Sequence, residues 1–345
     1  MNIEEIKGDF KNWQKMVREY VQPNKKLAVS QIITSFAPFL ALWTLMYFSL
    51  SWSYWITLGL GFLNAFFLVR IFIIQHDCGH QSFLGNRKVN NFIGRVCSIF
   101  SLIPYSYWAK SHSYHHAHTG MLHEHRDIGD IKTLTVEEYK ELSRGEKIKY
   151  RVYRSLPVMF IIGPLYYILI HNRLPLIRFK NWKKVRLSLI WNNLLVVGVY
   201  CLVGFLIGWD KFVMIQIPIT VFFAMVAIWF FYVQHQHEQN YKAWQDKWDY
   251  LTSAIKGSTY YRLPRVLHWL TGNIGFHHIH HLSSLIPNYN LRKCHTDNPM
   301  FDKHVIKMGM RESLKTISNK LWDEANEKMI SFREFKRTYG GISLG

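Results

Sequence analysis

Residues 54–80 read YWITLGLGFLNAFFLVRIFIIQHDCGH, an apolar run that ends directly in a pair of histidines. About 20 apolar residues in a helix cross a hydrocarbon core of about 30 Å. The run 54–75 meets that length with Arg70 as its one charged residue. His76 and His80 are four residues apart and so share one face of a continuing helix. A membrane span that finishes in two same-face imidazoles places metal-ligand chemistry at the edge of a bilayer.

Three other runs have the same length, at about 28–50, 187–208 and 212–234. The last ends in Gln234-His235, repeating the pattern of the second. Spans one and four carry Pro38 and Pro218, which membrane helices tolerate where neighbours satisfy the freed carbonyls. Shorter apolar stretches at about 92–107 and 155–171 are read as interfacial or re-entrant. The expected architecture is an all-α integral membrane protein, one membrane-embedded unit over 1–345. It has four transmembrane helices, interfacial helices and a helical cap formed by 76–186 and 235–345. The segment 236–269, polar and aromatic, belongs to that cap. No internal repeat or low-complexity tract interrupts it.

The chain is 49% hydrophobic and carries 42 Lys and Arg against 23 Asp and Glu, a formal charge of +19. The hairpin loops 51–53 and 209–211 hold one basic residue, Lys211; nearly all the rest lie in the N-terminal, central and C-terminal parts. The positive-inside rule therefore predicts a multi-pass cell-membrane protein with both termini and the cap on the cytoplasmic side. That face would attract anionic headgroups and an acidic protein partner. Nucleic acid is not expected as a partner, because the charge flanks the spans and the usual binding motifs are absent. Cys78, Cys97, Cys201 and Cys294 lack paired spacing, which argues against a disulfide framework. Residues 1–26, of mixed charge and without an apolar core, are no cleavable signal peptide.

Ile3, Ile6, Phe10, Trp13, Val17 and Tyr20 recur at helical spacing before Pro23. They predict an amphipathic helix that lies on an anionic surface or on the protein's own cap. Leu314, Ile317, Leu321 and Ala325 predict another amphipathic helix. Arg70, about a turn and a half before His76, either snorkels to headgroups or reaches inward to an acidic group; snorkelling is the favoured reading.

Two more clusters join the histidines that end the spans. His112, His115 and His116 are spaced by three and four, as are His277, His280 and His281. Since spans two and four exit on the same side, all nine imidazoles can meet at one depth. Imidazole suits zinc, copper and iron alike. A structural zinc site needs four ligands, commonly including Cys; nine histidines suit a larger redox centre, most plausibly two irons. The paired Glu-x-x-His motifs of soluble di-iron bundles and the HExxH of zinc proteases are absent. His278 is a minor candidate, and His237 is expected at the surface or behind a ligand. His118, His123 and His125 are read as a solvated loop, and His171, His268, His295 and His304 as ordinary residues. Bound imidazoles donate their second N–H to a carboxylate or carbonyl; Asp77, Asp127, Asp130 and Glu238 are placed for this, Asp130 first. Asn273 is a possible weak ligand through water.

HDCGH at 76–80, HSYHH at 112–116 and HHIHH at 277–281 resemble the three histidine boxes of the membrane fatty acid desaturases. FYVQH at 231–235, GNIGFHHIHHLS at 272–283 and IPNYNL at 286–291 are similar to the bacterial acyl-lipid branch, which includes phospholipid delta-5 desaturases of Gram-positive bacteria. The similarity covers roughly 25–335. It implies two irons held by His76, His80, His112, His115, His116, His235, His277, His280 and His281, with O2 as co-substrate. It implies a cis double bond made in the acyl chain of a membrane lipid. An HPGG haem motif is absent, so a ferredoxin or flavodoxin is the implied electron donor. The sequence departs from the pattern at His237, where an apolar residue is usual. It departs again at Phe231, where the acyl-CoA branch has an asparagine ligand. The alternatives are a hydroxylase, ketolase or alkane monooxygenase on the same scaffold, and a metal transporter. A transporter needs ionisable groups near the bilayer midplane, whereas these gather at one interface.

Overall fold

A computed structural model describes residues 3–177 and 180–340; the expected cap lies within it except at 178–179 and 341–345. Two short helices, α1 (Ile3–Asp9) and α2 (Trp13–Val17), precede the first membrane hairpin, α3 (Lys25–Ser49) and α4 (Tyr54–Gly79). Then come α5 (Arg87–Ser101) and α6 (Tyr105–His118), strands β1 (Met121–Leu122) and β2 (Leu134–Thr135), and α7 (Val136–Glu141) and α8 (Arg144–Tyr153). A π-helical turn at Val158–Ile162 leads into α9 (Gly163–Leu169), before the second hairpin, α10 (Lys183–Ile207) and α11 (Trp209–His235). The rest of the cap holds β3 (Ala243–Trp244), α12 (Tyr250–Lys256), β4 (Thr259–Arg262), α13 (Arg265–Leu270), α14 (His277–Leu282), α15 (Asn288–Asp297) and α16 (Met300–His304). It closes with β5 (Ile306–Gly309), α17 (Met310–Ser313), β6 (Leu321–Asp323), β7 (Lys328–Ile330) and α18 (Phe332–Tyr339).

The four long helices are those read from composition, but they run past the apolar limits. Hydropathy marks where hydrocarbon ends, whereas the i→i−4 ladder continues as long as the chain allows. His76 and His235 are thus carried inside the rigid ends of α4 and α11. The expected loop 209–211 shrinks to Gly208, whose φ of +92° a residue with a Cβ adopts only under strain. Half of the apolar window of α4 is buried, against 11% of α10. Thus α4 is the central post, and α10 turns Trp191, Leu194 and Phe205 outward.

The apolar stretch 92–107 becomes α5, a left-handed residue at Leu102 and the start of α6. Helix α5 buries Asn90, Gly94, Cys97 and Ser98 while Val89 and Phe92 are exposed, an inverted amphipathicity suited to a lipid-facing helix. The stretch 155–171 is broken, bent 57° from α8. At Gly94 an added Cβ would overlap the Tyr105 ring, which is held by its hydroxyl donating to Cys78 O at 2.8 Å. Gly94→Ala should therefore cost about 1–3 kcal/mol through overpacking, measurable as a lowered Tm of the detergent-solubilised protein.

Three expectations are corrected, and the cap, helical as expected, gains short strands. The N-terminal periodicity is split into α1 and α2, and its apolar face lies on the cap. There Ile6, Phe10, Val17 and Tyr20 pack with Ala254, Ile255, Phe276 and Phe301. Lys303 ties α1 down at 2.8 Å from Glu5 and 2.7 Å from Asp9. The stretch 314–325 is a 3₁₀ turn followed by β6, because Leu321 and Trp322 pair with β2 on one side and β7 on the other. The cap is helical but laced by short strands, with β1 on β3, β2 on β6 and β4 on β5, all parallel. These pairings join segments far apart in sequence and leave no local pattern. Arg70 does not snorkel. It is 4% exposed and donates to Ser35 Oγ at 3.2 Å, Thr34 Oγ1 at 3.4 Å and the Trp269 carbonyl.

Candidate metal centre

The four histidine clusters converge because α4 and α11 end side by side and two cap helices, α6 and α14, close over their ends. His76, His80, His112, His116 and His280 bring ligand nitrogens within 4.8 Å of one another. His115, His235 and His281 form a second such group. His277 joins the second, its Nε2 lying 2.9 Å from that of His235 and 3.1 Å from that of His281. In the first group the Nε2 atoms of His112 and His116 are 3.1 Å apart. Two nitrogens at right angles on one ion, each about 2.1 Å from it, are separated by about 3.0 Å. All three observed spacings match that edge.

Hydrogen bonds at the far side of the rings fix which nitrogen faces inward. His76 Nδ1 donates to Asp77 Oδ1 at 2.9 Å and His235 Nδ1 to Gly257 O at 3.1 Å. Each leaves the Nε2 lone pair directed into its group, the arrangement that raises ligand basicity. Asp77 is held in turn: its Oδ2 accepts from Asn288 N at 2.6 Å and Asn288 Nδ2 at 2.8 Å. The Nε2 atoms of His80 and His280 are buried and meet no hydrogen-bond partner among the described residues. An unsatisfied buried nitrogen is costly, and a metal ion is what would satisfy both. Burial pushes His112, His116, His277, His280 and His281 well below the ordinary imidazole range, with neighbouring imidazoles adding to the effect. His115 is lowered by the same cause, opposed by Asp130. In these six rings the environment favours the neutral form, the one that binds metal. Donor set, spacing and protonation all fit two transition-metal ions such as iron.

Aromatic rings wall the site. Trp108 stacks on His112 at 4.5 Å and meets Phe72 at 5.0 Å, which meets Phe223 at 5.9 Å. Phe231 lies 5.3 Å from His115 and 5.1 Å from His235, so an apolar ring fills the place considered for an asparagine ligand.

The structure treats the supporting candidates unequally. Asp77 is in contact, whereas Asp130 stands 3.7 Å from His115 Nδ1, beyond a hydrogen bond. Asp127 and Glu238 are exposed. Glu238 uses its backbone carbonyl to accept from Met329 N at 2.9 Å. Asn273, at φ +56°, donates to Asn288 O at 3.3 Å and braces the turn before α14. His237 is buried at 1% exposure rather than at the surface, with neither ring nitrogen partnered among the described residues. His278 turns away, its Nε2 3.3 Å from His295 Nδ1. His118 and His123 stack with Tyr114 and each other, the first at 4.0 Å on the end of α6 and the second 5.2 Å beyond it; neither is in an open solvated loop. Sequence reasoning passed over Asn288, Gly257 and Trp108. Only Trp108, four residues before His112, had a helical-spacing signal that could have found it.

A model of the fatty acid desaturase family matches residues 52–312. The chain is 41% identical to the fatty acid desaturase of Bacillus subtilis (strain 168), covering 97% of this chain and 94% of that one. It is 24% identical to the sn-1 oleoyl-lipid 12-desaturase of Picosynechococcus sp., covering 81% and 78%. It is 28% identical to the sn-1 acyl-lipid omega-3 desaturase (ferredoxin) of Nostoc sp., covering 65% and 62%.

Proposed function

Because this chain belongs to the fatty acid desaturase family, we propose that its nine clustered histidines hold two irons with which it desaturates the acyl chains of intact membrane lipids. One observation carries this reading: imidazoles from four separate segments form two groups with metal-edge spacings. The irons, when bound, supply the oxidising power of O2 needed to take hydrogen from an unactivated methylene. Side-chain acid–base chemistry offers little there, because such a carbon has no acidic proton. The reaction balances as O2, two hydrogens of the acyl chain, two electrons and two protons giving a double bond and two waters.

The chain's own contribution is placement. Asp77 and Gly257 O lock His76 and His235 by their Nδ1 atoms. Phe72, Trp108 and Phe223 form an apolar wall, suited to a methylene chain and hostile to water. The two electrons come from a separate carrier, and the ferredoxin named for the Nostoc relative supports a ferredoxin or flavodoxin. The excess of basic residues supports a cap on the cytoplasmic side of the cell membrane, where such an acidic carrier is drawn to it.

The test is a fatty-acid profile by gas chromatography and mass spectrometry of a bacterium expressing the chain with a ferredoxin or flavodoxin system. A new acid two hydrogens lighter than its parent is expected. A product one oxygen heavier would give the scaffold to hydroxylation instead, and no new lipid from iron-loaded protein would overturn the lipid substrate.

A further inference from the structure

Arg70, 4% exposed, is buried where α4 packs on α3. No carboxylate faces it among the described residues. Its contacts are neutral: Ser35 Oγ, Thr34 Oγ1, the carbonyl of Trp269, and the Trp269 ring 3.9 Å beneath the guanidinium. A guanidinium has five N–H donors, so these acceptors leave capacity for an anion. One turn along α3 from Ser35, on the same face, Gln31 is 6% exposed. Neither its amide nitrogen nor its oxygen has a partner among the described residues. A buried cation without a counter-charge and, one helical turn from its Ser35 partner, a buried amide without a partner are each expensive, and both costs fall if a polar anionic group reaches them.

The surroundings point to the source of that anion. Trp269 belongs to α13, whose Val266 and Trp269 are 67% and 45% exposed, and its ring also meets Phe67, within the span α4, at 6.1 Å. Helix α13 therefore lies along the side of a transmembrane helix at the level of Arg70, with Val266 and Trp269 outward and Leu270 buried, as an interfacial helix does. Arg70 precedes His76 by six residues of one helix, about 9 Å of rise. Basic groups between spans at that boundary recognise phosphate headgroups.

We propose that Arg70 and Gln31, roofed by Trp269, bind the phosphate and ester region of a membrane glycerophospholipid and so hold the acyl chain at the entrance to the histidine cage. This rests on the acyl-lipid desaturase reading and assigns to these residues the recognition of the lipid's phosphate.

The experiment has a binding arm that needs no iron. The full chain, purified in detergent without iron, is titrated with dihexanoyl-phosphatidylglycerol, dihexanoyl-glycerol and inorganic phosphate, and thermal unfolding is followed. The phosphatidylglycerol alone should raise Tm. Gln31→Leu removes an amide that bonds to nothing, so its unliganded Tm should not fall, yet its affinity for the phosphatidylglycerol should drop about five- to tenfold, the loss of one hydrogen bond. Arg70→Gln should abolish the shift and Arg70→Lys should restore part of it. An equal shift with dihexanoyl-glycerol or with inorganic phosphate, or unchanged affinity in Gln31→Leu, would overturn the proposal.

A second arm gives the iron-loaded enzyme phosphatidylglycerol and diacylglycerol of identical chains in nanodiscs. Wild type should prefer the phospholipid at least about tenfold and Arg70→Gln should lose the preference. Equal loss on both substrates would make Arg70 purely structural and overturn the site. No product from either substrate with wild type, alongside a normal binding arm, would instead count against the desaturase reading.

Discussion

His277→Ala is expected to abolish double-bond formation and to lower the iron content from two per chain towards one. His277 Nε2 stands 2.9 Å and 3.1 Å from the Nε2 atoms of His235 and His281, in both directions the spacing of two nitrogens on one ion. Its removal leaves the second group with three imidazoles, His115, His235 and His281, each on a different helix. Loss of an outer hydrogen-bond partner already costs about 10- to 100-fold in metal affinity or activity; loss of a ligand at this junction should exceed that range. The five-histidine group, on α4, α6 and α14, retains its own members and should still load. Elemental analysis of the purified variant, beside the lipid profile, checks both halves.

Asp77→Ala should reduce stability and metal affinity together. The carboxylate is buried with its two oxygens divided between His76 Nδ1 and the N–H groups of Asn288. Truncation leaves those donors unpaired, at about 3–5 kcal/mol for a broken buried charged contact, and frees the His76 ring, at about 10- to 100-fold in iron affinity. Asp77→Asn separates the two effects. Its oxygen can still accept from Asn288, but its amide must donate to His76 Nδ1, which forces the ring proton onto Nε2, the atom that faces the metal group. That variant should keep most of the unfolding temperature and lose most of the iron. Equal iron content in wild type and Asp77→Asn would remove Asp77 from the support of the site.

The legible part of this protein was what depends on local spacing. A run of apolar residues has the same length in sequence as in a helix, so the four spans could be counted. Imidazoles at i, i+3 and i+4 must share a face, so the clusters of α6 and α14 could be read as two imidazole-bearing faces. The equal depth of His76 and His235 followed from the even number of crossings. What stayed hidden depends on contacts between distant segments. The division into five and four histidines is set by how α14 lies across the other three helices, with His280 on one side and His277 and His281 on the other. Asp77 could be preferred over Asp130 only once the fold showed that α15 approaches α4 and that the loop 121–135 stops short of His115 Nδ1. Arg70 was misplaced because hydropathy sees the span and not α13, whose backbone carbonyl turns the side chain inward.

Whether the nine histidines hold two irons is decided by metal analysis of the full chain, purified anaerobically after iron-supplemented expression. About two irons per chain are expected, with a loss of one on His277→Ala. A single zinc per chain, or iron bound equally well after His277→Ala, would contradict the two-iron centre.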